Sequence, residues 1–317
     1  MRNVNIFPHT NSFFLGKQVN EMKKIAIVGA NSYIARNVIL RLQQRFSEYE
    51  LKLYDYAEEQ VDGQLNYTSI NILDKDSASK MDLACDIIYM FIGKTGSANG
   101  FDDCDTFLNI NEKALLNLLN EYRRQNSKAK IVFPSTRLVY KGKKGKLSED
   151  AEKEFKTIYA INKYACEQYL AQYRNVFGVK YCIFRICIPY GTLISGASSY
   201  GTAEFMLKKA QQNENIILYG DGSVRRTLTY MGDLCDILID GGINDSCENT
   251  VYNIGGEDYS LKEMAELIAK KYNVGVDFVE WPEVALKIES GDTVFNDCKL
   301  KSVLNYQFKK TFKQWID

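Results

Sequence analysis

Short apolar runs and helix-spaced apolar positions alternate along most of this chain. Lys24-Ile-Ala-Ile-Val-Gly29 is an apolar run ending in glycine. Ile34, Val38 and Leu42 follow at helical spacing, and Leu51-Lys-Leu-Tyr-Asp55 is the next apolar run. Further strands are expected at Asp86–Gly93, Lys130–Ser135 and Lys180–Ile186, with helices near Thr106–Gln125 and Thr157–Tyr173. Strands alternating with helices predict an α/β protein with a doubly wound parallel sheet. From Ile188 onward the chain is expected to build mainly a smaller C-terminal α/β domain. The expected division is therefore a tail over 1–21, a first domain over 22–187 and a second over 188–317. Segments near 229–253 (Thr229–Asp240 and Val251–Asn253) are expected to return to the first.

Composition narrows the function. The 317 residues suffice for a large core, and 40 basic residues balance 40 acidic ones. That balance leaves no electrostatic footprint for nucleic acid or an anionic membrane. None of the 8 cysteines forms a Cys-x-x-Cys pair, and the single histidine, His9, precedes the first strand. A metal site and histidine acid–base chemistry are both disfavoured. Cysteines in apolar strands, such as Cys182 and Cys187, read as reduced core residues, which suits the cytoplasm. No apolar run is long enough to span a bilayer. Residues 1–21 carry neither a long apolar core nor a small-residue cleavage site. Met22-Lys-Lys directly precedes the first strand and is an alternative start. The basic run Lys141–Lys146 reads as a solvated turn.

The candidate chemistry begins at Gly29. A strand, a glycine turn, a helix, a second strand and an acidic residue, Asp55, occur in the order of a dinucleotide-binding βαβ unit. Free N–H groups at the helix start suit a pyrophosphate. Asp55 suits the adenosine ribose hydroxyls and repels a 2′-phosphate, which favours NAD over NADP. Of the usual three glycines only the first is present, since Ser32 and Ala35 occupy the other two positions. Farther along, Tyr159 and Lys163 stand four apart, on one face of a helix with about 5–6 Å between Cβ atoms. A cation beside a phenol favours the phenolate, whose unperturbed pKa is near ~10. Together with the hydroxyl of Thr136, this pair can move a proton on and off an alcohol.

These motifs fall in the order of a known family. The chain resembles an extended short-chain dehydrogenase/reductase of the NAD-dependent epimerase/dehydratase family, the family of UDP-galactose 4-epimerase. The resemblance runs from about Met22 to near the C-terminus. It rests on Asn71-Ile72, the strand ending at Gly93, the helix led by Asn111, Pro134-Ser-Thr-Arg-Leu-Val-Tyr140, Tyr159 to Lys163, Arg185–Gly191, Tyr219–Asp233 and Val251–Gly256.

The resemblance implies a Rossmann-type cofactor domain and a nucleotide-diphosphate sugar as substrate. It implies a homodimer through the two helices that carry Leu115, Leu116, Leu118 and Leu119, and Ile161, Tyr164 and Leu170. Tyr159 becomes the base and acid, Lys163 its partner and a ribose ligand, and Thr136 the group that orients the reacting hydroxyl. NAD is implied to meet Gly29, Ser32, Tyr33, Ile34, Asp55, Asn71, Ile72, Gly93, Asn111, Tyr159 and Lys163. The substrate is implied to meet Thr136, Tyr219 and Arg226, whose fork suits the diphosphate.

Some branches of the family lack their groups here. The 4,6-dehydratases follow the catalytic hydroxyl with Asp-Glu, and the decarboxylases place Glu at the second of these positions. This chain has Arg137 and Leu138. Epimerising Cys/His pairs lack a suitable histidine. The expected activity is an NAD-dependent epimerase that removes and returns a hydride at a sugar carbon, carbon 4 in most of the family. A 4-ketoreductase or dehydrogenase with exchangeable NAD(P)H is the alternative, and a non-catalytic NAD-binding sensor or scaffold is the alternative of another class. Ile188, where the family commonly has Asn, and the short segment from Tyr140 to Tyr159 favour the ketoreductase. Specificity is expected to lie in Thr192–Phe205, including Ser195, Ser198, Ser199 and Tyr200, and in Trp281–Asp292.

Overall fold

The computed structural model describes residues 23–197 and 201–317. His9, the tail over 1–21 and the Ser198–Tyr200 part of the expected specificity loop lie outside the described residues. The strands in chain order are β1 Lys23–Val28, β2 Tyr49–Asp55, β3 Tyr67–Ser69, β4 Ile87–Met90, β5 Lys130–Thr136, β6 Lys146–Leu147, β7 Lys180–Ile186, β8 Ile188–Tyr190, β9 Ile216–Tyr219, β10 Arg225–Tyr230, β11 Thr250–Asn253, β12 Glu257–Ser260, β13 Val276–Val279 and β14 Val294–Phe295. Six longer helices are α1 Tyr33–Arg45, α2 Ala114–Arg124, α3 Ile158–Phe177, α4 Thr202–Gln211, α5 Met231–Ile243 and α6 Leu261–Tyr272.

Seven strands form one parallel sheet in the order β11-β7-β5-β4-β1-β2-β3. Ile25 to Val28 have no exposed surface, because β1 lies between β2 and β4 and both faces are covered. That double burial is why the strand reads as a continuous apolar run rather than an alternation. One face packs against α1 and α5 through Val38, Ile39, Leu42, Leu234 and Leu238. The other packs against α2 and α3 through Leu115, Leu118, Leu119, Cys166 and Leu170. A separate core lies between the small sheet and α4 and α6. Eight unpaired cysteines are dispersed through the fold.

The return of the chain to the large sheet begins later than the sequence suggests. Thr229 and Tyr230 belong to β10, which pairs parallel with β8 and antiparallel with β12 in a three-stranded sheet. The return starts with α5 at Met231 and is completed by β11, which adds to β7. Arg41 and Arg45 of α1 fork onto Asp236 and Asp240 of α5, fixing the helix on the sheet.

Most of the apolar stripe on the two helices implied to pair between subunits belongs to the subunit's own core. Leu115, Leu118, Leu119 and Leu170 are fully buried in it. Among these positions Ile161 is exposed, at 46%. Among the described residues no helix is long and apolar enough to cross a membrane, and no cluster of His, Cys, Asp or Glu could hold a metal ion.

Candidate active site

The chain leaves β1 toward β2 on one side and later returns to β4 on the other, so a crevice opens at the C-terminal ends of β1 and β4. Such a reversal of strand order is where open α/β sheets bind ligands. Gly29 turns the chain there with φ +92°, and a Cβ on it would lie 2.7 Å from the Ile92 nitrogen. Both the left-handed backbone and the close approach therefore require glycine. Ser32 stands at the N-cap of α1 without capping it. Its Oγ is buried and has no hydrogen-bond partner, the one such side-chain atom among the described residues. An orphaned hydroxyl beside the free N–H groups of a helix start is chemically suited to a phosphate oxygen.

Asp55, at the end of β2, braces this loop. Its Oδ2 accepts from the Asn31 N–H at 2.8 Å and its Oδ1 from the Tyr56 N–H at 2.7 Å. Asn71 and Ile72 lie beyond β3, where Asn71 Oδ1 accepts from the Leu73 N–H and the Ile72 carbonyl accepts from Asn117. Neither they nor Asp55 lines the cleft described next.

That cleft, of about 520 Å³, brings Ser32, Tyr33, Ile34 and Gly93 together with Thr136, Tyr159 and Lys163. The Tyr33 hydroxyl donates to the Gly191 carbonyl across the crevice. A Cβ on Gly93 would come within 3.3 Å of Asn111 and 3.6 Å of Lys163. Asn111 holds the next residue by both ends: its Oδ1 accepts from the Lys94 N–H at 2.9 Å and its Nδ2 donates to the Lys94 carbonyl at 3.1 Å. Asn111 sits in a π-helical turn, Asn109–Lys113, and its own carbonyl accepts from the Cys166 thiol. Such turns are rare and concentrate at functional sites.

Tyr159 and Lys163 are carried by α3, whose start is set by the Thr157 hydroxyl accepting from the Ala160 N–H at 3.1 Å. Lys163 is buried and donates to the Pro134 carbonyl at 2.8 Å, which ties α3 to the end of β5. Burial penalises its charge and pushes its pKa down to about 8. Thr136 ends β5, and its Oγ1 accepts from the Leu138 N–H at 3.2 Å. Its own proton is then available to donate into the cleft.

A buried ion pair beneath the site fixes these elements. Arg185 of β7 forks onto Glu167 of α3, and the Ser135 hydroxyl donates to the same carboxylate. Arg185 also donates to the Tyr140 hydroxyl at 2.6 Å, which donates to Asn253 at 2.7 Å. Arg185, Tyr140 and Asn253, part of the motif series, thus act as scaffold. Glu167, whose role only the fold discloses, is their hub.

Comparison with known proteins gives this arrangement a lineage. The NAD dependent epimerase/dehydratase family matches residues 25–255. The chain belongs to this family. It is 23% identical over 259 residues to a putative UDP-glucose 4-epimerase of Methanocaldococcus jannaschii, covering 79% of this chain and 82% of that one. Pal from Bacillus thuringiensis has the same fold, with TM-score 0.82 and 23% identity over 92% of this chain and 96% of that one. UDP-glucose 4-epimerase of Thermotoga maritima, solved with UDP-glucose, gives TM-score 0.80 and 18% identity, covering 92% of this chain and 96% of that one.

Members of this family are NAD-dependent enzymes, and the residues present fit NAD. The tight turn at Gly29, the unpartnered Ser32 hydroxyl and the start of α1 supply the phosphate cradle. Two of the expected substrate contacts, Arg226 and Tyr219, are not in the lining of the cleft. Arg226 is 2% exposed and does not line the cleft. Its guanidinium donates to the Gly291 carbonyl and to Glu289 Oε1, both at 2.5 Å. Tyr219 is likewise outside the cleft and packs its ring against Trp281 with centroids 5.3 Å apart. Ile188 is buried in β8 and lines the cleft as an apolar wall. Arg137, read above only as a missing acid, reaches the cleft beside Thr136.

Proposed function

We propose that this enzyme is a nucleotide-sugar 4-epimerase, acting on a sugar held by its nucleotide diphosphate. The observation that carries the reading is that Thr136, Tyr159 and Lys163 share one cleft with Ser32, Tyr33 and Gly93 at the end of β1. Bound NAD supplies the acceptor and donor of a hydride at the sugar carbon. Tyr159 takes the proton from the reacting hydroxyl and returns it from its phenol oxygen. Lys163, held at the Pro134 carbonyl, favours the phenolate with its positive charge. Thr136 donates a hydrogen bond to the same substrate oxygen and orients it. No carboxylic acid stands at 137 or 138 to protonate a leaving hydroxyl, so dehydration is not supported. Asp55 supports NAD over NADP, and an epimerase that returns its hydride needs no exchange of cofactor.

The proposed assembly is a homodimer through the helical run that begins at Cys104 and through α3. What supports this is the exposure of apolar Leu108 and Ile161, at 44% and 46%, on these two elements. The proposed location is the cytoplasm.

The purified protein, denatured and extracted, tests the activity reading. Co-purified NAD(H), identified by mass, together with interconversion of 4-epimeric UDP-sugars without added cofactor, is the expected result. An empty site and reduction of a 4-keto nucleotide sugar by added NADH or NADPH would establish the ketoreductase instead. Ile188, which removes a hydrogen-bonding group from the cleft wall, is the observation that favours that second reading. Failure to bind NAD(H) or NADP(H) at all would overturn both.

A further inference from the structure

Arg137 is a half-buried guanidinium with an incomplete set of partners. It follows Thr136 directly and lines the same cleft. Its Nη1 donates to the Ser290 hydroxyl at 2.9 Å. Among the described residues no carboxylate forms an ion pair with it within 4.0 Å. Burial, and after it the like charge of Arg226, pull the Arg137 pKa down to about 10, and the Glu289 carboxylate offsets this only in part. Arg226 has its own counter-ion, Glu289, whose Oε1 also accepts from the Gly291 N–H at 2.9 Å.

The segment holding these partners is fixed from several sides. Ser290 donates no backbone slack: its carbonyl accepts from the Gly142 N–H at 2.8 Å, and the Asp292 carbonyl accepts from the Lys143 N–H at 3.0 Å. Lys156 donates to the Glu289 carbonyl at 2.8 Å. Two guanidinium groups therefore face one carboxylate on a clamped segment, leaving one positive charge unmatched. Burying an unpaired charge is costly, and an arriving anion removes the cost. A guanidinium fork matches phosphate and carboxylate oxygens equally well.

We propose that Arg137 is a substrate-binding residue: braced by Ser290 and lying beside the Arg226–Glu289 pair, its guanidinium receives an anionic group of the substrate. That group is a phosphate of the diphosphate or a carboxylate carried by the sugar. The proposal rests on the nucleotide-sugar reading above, and it makes Arg137, not the enclosed Arg226, the fork that the cleft presents. The position that carries an acid in the dehydrating branch here carries an anion receptor.

Calorimetric titration of the full-length protein and its Arg137→Met variant with inorganic pyrophosphate, UDP-glucose and UDP-glucuronate tests it. If the anion is the diphosphate, Arg137→Met weakens all three ligands about tenfold or more. If it is a sugar carboxylate, the loss falls on UDP-glucuronate alone. Ser290→Ala, which keeps the charge and removes the brace, should weaken the same ligands about two- to fivefold. The salt dependence of the affected Kd should flatten in Arg137→Met, a change that a merely structural role would not produce. The variant should melt no lower than the wild type, since an unmatched charge has been removed. Binding of all three ligands within twofold of wild type, or a large fall in melting temperature with unchanged binding, would overturn the proposal. Arg137-dependent binding of pyrophosphate by a protein that binds neither UDP-sugar would uphold the anion site and reject the nucleotide-sugar reading.

Discussion

Replacing Lys163 by Met should make the NAD-loaded enzyme inactive and, at neutral pH, the cofactor-free protein more stable. Burial lowers the Lys163 pKa from 10.5 to about 8. At about 1.4 kcal/mol per pH unit, the folded state carries roughly 3 kcal/mol of unfavourable charge burial below pH 8. Removing the ammonium also removes its charged bond to the Pro134 carbonyl, a loss of about 2 kcal/mol. The net gain at pH 7 is therefore about 1 kcal/mol. The pH dependence has a definite sign. Below pH 8 both folded and unfolded chains hold the proton, and the full cost is present. Between about pH 8 and 10.5 the unfolded chain binds more protons than the folded one, so wild-type stability rises relative to the variant. Above that interval the variant's advantage is gone, and its lost hydrogen bond leaves it slightly the weaker. Urea midpoints of both proteins from pH 7 to 10.5 measure the difference directly. A variant less stable than wild type at pH 7, or a difference that does not change with pH, would refute the reasoning.

Tyr159→Phe should leave the melting temperature unchanged and lower kcat by about 10²–10⁴-fold; steady-state assays on the identified substrate check this. Glu167→Gln should destabilise by about 3–5 kcal/mol, because it leaves the buried Arg185 uncompensated, and a denaturant titration reads the loss. Gly29→Ala should cost about 1–3 kcal/mol through backbone strain and should abolish NAD binding, since its methyl enters the Ile92 backbone. Ile161→Glu should convert the proposed dimer to a monomer by light scattering, and a monomeric wild type would reject that assembly.

The alternation of apolar runs and helical spacings exposes the large sheet because its strands are covered on both faces. β1, β5 and β7 are recognisable from composition alone, as is α3 from its Thr157 start. β10 is not, because Arg225-Arg-Thr-Leu-Thr-Tyr alternates little, and its place between β8 and β12 is decided by pairing across the small sheet. The Tyr159/Lys163 spacing is local and therefore visible. The π-turn at Asn109–Lys113 is not, since Asn109-Ile-Asn-Glu-Lys has no breaker and the turn is held by Lys94 and Cys166. Leu115, Leu118, Leu119 and Leu170 carry the same helical stripe whether they meet a partner subunit or their own sheet, and here they meet the sheet. In the sequence Arg226 reads as the fork for the diphosphate and Arg137 only as a missing acid. Only the fold shows that Glu289 encloses one and leaves the other facing the cleft.

The most direct test of the 4-epimerase reading follows a deuterium label placed on carbon 4 of UDP-glucose, UDP-N-acetylglucosamine and UDP-glucuronate. With the protein as purified and no added cofactor, at least one sugar should equilibrate with its 4-epimer and keep its label. Absence of epimerisation for every sugar, or appearance of the label on added nicotinamide cofactor, would contradict the account.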